Sequence, residues 1–180
     1  NNRPQNVHAM RTGTESNPAE SVPVRATDPI RFRVAGEQDR ILHIVSAGDI
    51  LLLTAGSEIK MYSQDTDVLT PSSVGAKRQS DYGSSNVQPV KTGSSVLYTQ
   101  SGGTKVREIV YDDTKVSYVS NDAMLLAPHL FSRTKYCTDM TYQLLPQPVC
   151  WCVRSDGVLL GLTYVPSQKV AAWHRHDTDG

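Results

Sequence analysis

The chain has 180 residues, enough for one domain with a sizeable core or for several small units side by side. Lysine plus arginine balance aspartate plus glutamate at 18 each, so net charge argues for neither a basic nucleic-acid clamp nor an acidic-substrate site, and a neutral surface suits protein partners. No run approaches the roughly 18 consecutive apolar residues of a membrane helix, and none has the order of a secretory signal, so no membrane is expected as a partner.

Because it opens on Asn1 and not on methionine, the chain reads as a piece of a longer or processed polypeptide. Residues 1–26 are rich in Asn, Ser, Thr, Pro and Glu and lack apolar periodicity, which predicts an extended arm or linker. A single β-repeat domain is expected over 27–180. It begins with Asp28-Pro29 and a half-buried strand, Ile30-Arg31-Phe32-Arg33-Val34, that Gly36 ends.

A hairpin then recurs. Ile50–Thr54, Ala55-Gly56-Ser57 and Glu58–Tyr62 form an apolar strand, a tight turn and an alternating strand. About 46 residues later come Val96–Thr99, Ser101-Gly102-Gly103 and Lys105–Tyr111. About 53 residues beyond those come Val149–Val153, Ser155-Asp156-Gly157 and Val158–Tyr164. Short apolar stretches precede the hairpins, at Ile41–Val45, Val87–Val90 and Asp139–Leu145, and Lys169–His174 follows the last. Three to four strands every roughly 45 to 50 residues is the period of a propeller blade. The expected fold is therefore mainly β, with about three propeller-like repeats of antiparallel hairpin blades in an incomplete or open propeller. An ordinary β-sandwich with evenly spaced hairpins is the alternative. Between the second and third copies, Ser120-Asn121-Asp122 supplies cap chemistry for one short helix over Ala123–Ala127 that Pro128 ends, either a capping insertion or a contact helix for a partner.

Residues with chemical potential are few. Cys137, Cys150 and Cys152 are too few for a disulfide framework. Alternation about Trp151 puts Cys150 and Cys152 on one strand face, as small buried hydrophobes or as a metal pair with Cys137 or a histidine. His174 and His176 share a strand side at metal-ligand spacing, but without a third ligand they read as a polar strand end packed against Trp173. Asp112, Asp113, Asp139, Asp156 and Asp177 sit near strand ends, where turns place solvated aspartates. Arg31, Arg33, Arg40, Lys77, Arg78 and Arg107 offer phosphate contacts along a channel or, more simply, a solvated face. No nucleophile elbow, zinc-protease helix or P-loop is present. The sequence thus assigns no catalytic, cofactor-binding or metal-binding residue, and no enzyme activity is expected.

Several ordered strings resemble a known family. Asp28-Pro29-Ile30, Ile41–Val45 and Asp49–Glu58 are similar to the "DPI … IRHLV … DLLLFTSGAE" passage of the podovirus-type phage tail nozzle or tail tubular protein B family, the tail hub, including prophage relatives. Leu69-Thr70-Pro71 with Gln79–Gly83 resembles its "L-T-P … Q-S-x-Y-G". Ser120–Asp122 with Leu125–Phe131 resembles "NDLxLLAPHLF", and Trp151–Gly157 resembles "WxVRxDG". Leu159–Tyr164 with Ala172–His176 resembles the closing "LxGLTY … WHRH".

The resemblance spans roughly Ala26 to Asp177 and implies a structural component of a virion tail tube, with propeller-like repeats around a DNA exit channel. It implies a homo-oligomeric ring in the full-length protein, contact with head-to-tail adaptor and tail fibre proteins, non-specific passage of DNA, and no catalytic residues. Two alternatives remain at this point. One is a phage tail module binding host-surface glycan or protein. The other is a tail-associated glycan hydrolase using acids such as Asp112, Asp139 and Asp156.

Overall fold

The computed structural model describes residues 5–34, 40–64, 68–168 and 170–177. Gly36 and Lys169, assigned above to strand boundaries, lie outside the described residues. The described chain is mainly β: strands in antiparallel sheets, with 3₁₀ turns at Pro128–Leu130 and Pro166–Gln168. It divides into two compact units, Asn1–Asp81 and Tyr82–Gly180, where the sequence suggested one domain after an arm.

In the first unit β1 (Asn6–Ala9) pairs antiparallel with β2 (Ile30–Arg33). The segment expected as an extended arm is therefore partly a strand. Val7 faces Phe32 in register, and both pack on a core of Val34, Leu52, Ile59 and Met61, so one apolar residue on the core side is enough to seat β1. The long connection from β1 to β2 is organised by Asp28, whose buried carboxylate accepts the Ser21 and Arg25 amides at 3.0 and 2.8 Å and the Ser21 hydroxyl at 2.9 Å. These bonds, led by that from Arg25, lower the Asp28 pKa against the opposing effect of burial. A polar composition that cannot build a core is here ordered by one charged acceptor.

The rest of the unit is a four-stranded antiparallel sheet in chain order: β3 (Ile41–Ala47), β4 (Asp49–Thr54), β5 (Glu58–Ser63) and β6 (Val74–Ser80). The first predicted hairpin is its central pair, Ile50 facing Met61 and Leu52 facing Ile59. Thr54 and Ser57 lock the turn: Thr54 Oγ1 donates to the Ser57 carbonyl at 2.8 Å and accepts the Ser57 amide at 2.9 Å.

The second unit repeats this plan twice. One sheet runs β7 (Val90–Thr92), β8 (Ser95–Thr99), β9 (Val106–Asp112) and β10 (Ser117–Asp122). The other runs β11 (Cys137–Gln143), β12 (Val149–Arg154), β13 (Leu159–Val165) and β14 (Val170–His176). The second and third predicted hairpins are again the central pairs, β8 with β9 and β12 with β13. At the β12–β13 turn Gly157 has φ +85°, a left-handed conformation that a side chain would strain. The outer strands begin elsewhere than expected. β7 starts only after Pro89, which has no amide to donate to a ladder. β11 starts at Cys137 and ends before Leu144 and Leu145, which are exposed on the approach to Pro146.

The two sheets share a core in which Leu97 and Val106 meet Met140, Cys150, Cys152, Leu160 and Leu162, with Met124 and Phe131 inserted from the connecting segment. Each fully buried leucine contributes about 1.5–3 kcal/mol relative to exposure. Tyr164 on β13 ties the sheets by polar contact: its hydroxyl donates to the Glu108 carboxylate of β9 and lies 3.4 Å from Ser95 Oγ of β8. Burial first, then the Glu108 carboxylate, pushes the Tyr164 pKa well up, so the phenol stays protonated.

The connecting segment corrects the expected short helix. Ala123–Leu126 is a turn, and the helical turn starts at Pro128 instead of ending there. Asp122 does act as a local cap, its Oδ1 accepting the Met124 amide at 2.8 Å. Met124 and Ala127 are buried while Leu125 and Leu126 project outward, a division that one irregular turn provides and a continued helix would not. Proline at the first position of a helical turn loses no hydrogen bond.

Candidate functional site

The densest grouping of chemically capable side chains lies on the face of the β11–β14 sheet away from the core. Strand register places Thr141, Trp151, Gly161 and His174 in one row across all four strands. His176 lies two residues on along β14, on the same side as His174, as alternation requires. Trp151 donates its indole N–H to Gln143 Oε1 at 3.0 Å, which fixes the ring edge-on to both imidazoles, with centroids 6.1 Å from His174 and 4.7 Å from His176. His174 Nδ1 and His176 Nε2 are 2.7 Å apart, and His174 Nε2 is 3.2 Å from Thr163 Oγ1.

Gly161 makes this possible. A Cβ at that position would come within 2.1 Å of His174 Cε1, so the imidazole lies directly over the glycine backbone. Burial, then the neighbouring His176, lowers the His174 pKa. The expected packing against Trp173 is corrected here: Trp173 points to the opposite face, edge-on to Phe131 and donating to the Ala123 carbonyl at 2.8 Å. Neighbours on a strand cannot share a side. The available signal was Gly161 itself, which interrupts an otherwise apolar run in a central strand.

The cysteines are free and all buried, with Cys150 and Cys152 on the core face as the alternation predicted. The neighbouring Cys137 and Cys150 thiols, together with burial, push the Cys152 thiol pKa well up, so it stays protonated. The Cys152 thiol in turn lowers the pKa of Cys137, whose Sγ donates to the Asp139 carbonyl at 3.3 Å. Among the described residues no group of three or more His, Cys, Asp or Glu side chains is arranged to hold a metal ion.

The aspartates serve their own turns. Asp112 accepts the Thr114 and Lys115 amides, Asp139 accepts the Met140 amide, and Asp177 pairs with Arg175 at 2.8 Å. Asp113 is exposed. Asp156 is gripped by Arg154 at 2.7 and 2.8 Å in a fork, and this bond holds its carboxyl down at about 2. Arg154 also donates to the Leu130 carbonyl at 2.8 Å, so the β12–β13 turn is fastened to the 3₁₀ turn.

The basic residues divide. Arg31 and Arg33 are exposed on the outer side of β2, opposite His8 and Asn6, and Arg31 pairs with Glu20 at 3.2 Å. Arg40, Lys77 and Arg78 are also exposed, and Arg78 pairs with Asp81 at 3.0 Å. Arg107 is withdrawn from any phosphate-contacting role. It is buried, stacked 3.3 Å over the Tyr82 ring, and donates to Gln100 Oε1 at 2.9 Å and to the Ser120 carbonyl at 3.2 Å. A groove of about 640 Å³ beside β14 is lined by Leu126, His129, Lys135, Arg154 and Arg175 among others. Its cationic groups are partly neutralised by Asp156, 3.8 Å from Lys135, and by Asp177. No protein-family model matches the chain, and no curated protein matches it.

Proposed function

We propose that this chain is a structural element of a short-tailed phage tail tube, a nozzle or hub part whose repeats act as propeller-like blades in the wall of a DNA exit channel. The observation that carries the reading is the repeat. Three four-stranded antiparallel sheets follow one another, each with strands in chain order and each with the corresponding hairpin as its central pair. A four-stranded meander repeated at a near-constant interval is how a propeller blade is built, and packing of successive meanders gives stiffness without a catalytic centre. The ordered strings from Asp28 to His176 support the same family. Within the second unit, face-to-face packing of two such sheets through Leu97, Leu160 and Leu162 supports stacking as the stabilising principle.

On this reading the full-length protein closes a homo-oligomeric ring below the head-to-tail adaptor, meets tail fibre proteins, and lets DNA pass without base-specific contact. Exposed Arg31, Arg33, Lys77 and Arg78 are then available for loose phosphate contact. The experiment is immunogold labelling of purified particles with antibody raised against this chain, combined with deletion of its gene. Labelled short tails, and deletion particles that package DNA but lose it, are the expected result. Unlabelled virions, or glycan release by the purified chain, would overturn the proposal.

A further inference from the structure

We propose that His174 and His176 form a two-imidazole site for a divalent transition ion of right-angled coordination, nickel(II) or copper(II), on the outer face of the β11–β14 sheet. Three features point to a ligand pair and not to two incidental surface histidines. The first is proximity: His174 Nε2 lies 3.2 Å from Thr163 Oγ1 and His174 Nδ1 lies 2.7 Å from His176 Nε2, so with the hydroxyl taking the Nε2–H proton, Nδ1 is the nitrogen left to ligate beside His176. A ligating histidine ordinarily gives its other ring N–H to an outer-shell acceptor, a carboxylate, carbonyl or water, and the Thr163 hydroxyl is placed to serve as that acceptor.

The second is the bite. Bonds of about 2.0–2.1 Å at a right angle place two cis nitrogens about 2.9 Å apart, whereas a tetrahedral angle needs about 3.4 Å. The 2.7 Å separation lies nearer the right-angled value, which favours tetragonal copper(II) or nickel(II) over zinc. The ion takes the place of the hydrogen bond between the two nitrogens, with the His176 proton moving from Nε2 to Nδ1 by exchange with water; protons compete with the ion for both ring nitrogens, so binding weakens as pH falls.

The third is the built floor. Gly161 leaves room for the His174 ring where any Cβ would strike it, and Trp151, held by Gln143, walls the pair edge-on at 4.7 Å from His176. The outward side of His176 is exposed, so water completes the coordination sphere. Asp177, next in sequence, is paired with Arg175 and is not needed as a ligand.

The test uses the untagged chain in a non-chelating buffer at neutral pH. Nickel(II) chloride is the probe, because the thiols do not reduce it. Titration calorimetry should give one saturable site, with parallel quenching of Trp151 emission. His174→Gln and His176→Gln should each weaken binding by more than about tenfold, and Thr163→Val by about tenfold. His129→Gln, elsewhere in the unit, should bind as the parent does. Trp173→Phe, on the opposite face of the sheet, should keep both the heat and the quenching, which assigns the quenched emission to Trp151. Unchanged far-ultraviolet circular dichroism establishes that each variant is folded. Absence of saturable heat in the parent chain, or parent-like binding by both folded histidine variants, would overturn the proposal.

Discussion

Leu162→Ala is the most informative single test of how the second unit is held together. Leu162 is completely buried on β13, in register between Cys150 of β12 and Trp173 of β14. Its neighbours have little freedom to fill a void: Cys150 is small, and Trp173 is anchored by its bond to Ala123 and by Phe131. The loss should therefore fall in the upper half of the Leu→Ala range, about 3.5–5 kcal/mol, as the transfer of the removed carbons plus a cavity that cannot collapse. With a urea dependence of about 1–3 kcal/mol per molar, the unfolding midpoint should drop by roughly 1–5 M. Tryptophan emission is the readout, since Trp173 borders the vacated space. Leu126→Ala is the internal control: its side chain is 88% exposed and the change should stay within about 0.5 kcal/mol. A Leu162→Ala loss below about 1 kcal/mol, or no larger than that of Leu126→Ala, would refute a shared core between the two sheets.

Two further outcomes follow from the polar groups. Asp156 has its pKa depressed to about 2, chiefly by the hydrogen bond from Arg154, so its contribution is fully present above the ordinary carboxylate value and is lost as pH falls through about 2. Acid titration of stability should thus show a decline between about pH 4 and 2 that Asp156→Asn flattens, the variant being already weakened at neutral pH; an unchanged acid limb would contradict the Arg154 pairing. Arg107→Lys keeps the charge but loses the planar stack on Tyr82 and the bonds to Gln100 and Ser120. It should cost about 1–3 kcal/mol in thermal unfolding, and a change under about 0.5 kcal/mol would show that the stack is incidental.

The sequence revealed the central hairpins because their apolar residues alternate or run continuously and their turns carry glycine. It was silent about β6 and read the end of β10, Ser120-Asn121-Asp122, as a helix cap; the residues of the two strands, Val-Gly-Ala-Lys-Arg-Gln-Ser and Ser-Tyr-Val-Ser-Asn-Asp, are too polar to display a period, and they are strands because a neighbour presents an edge to pair with. β1 escaped notice for the same reason, with Val7 alone marking its core side. The cap chemistry ahead of Ala123–Ala127 misled because one turn's worth of propensity cannot nucleate a helix against tertiary demands. At the candidate site, the side shared by His174 and His176 was legible from alternation. The partners Trp151, Thr163 and Gln143 were not, since they come from other strands, and only register brings them together.

Within each four-stranded sheet every strand pairs with its neighbour in the chain, and no long crossover has to be closed first. Such low contact order favours fast, local assembly, because the entropy lost in closing a short loop is recovered at once by the ladder it completes. During synthesis each sheet can therefore finish as soon as its fourth strand leaves the ribosome, and within the second unit the finished β7–β10 sheet offers β11–β14 a formed surface on which to condense.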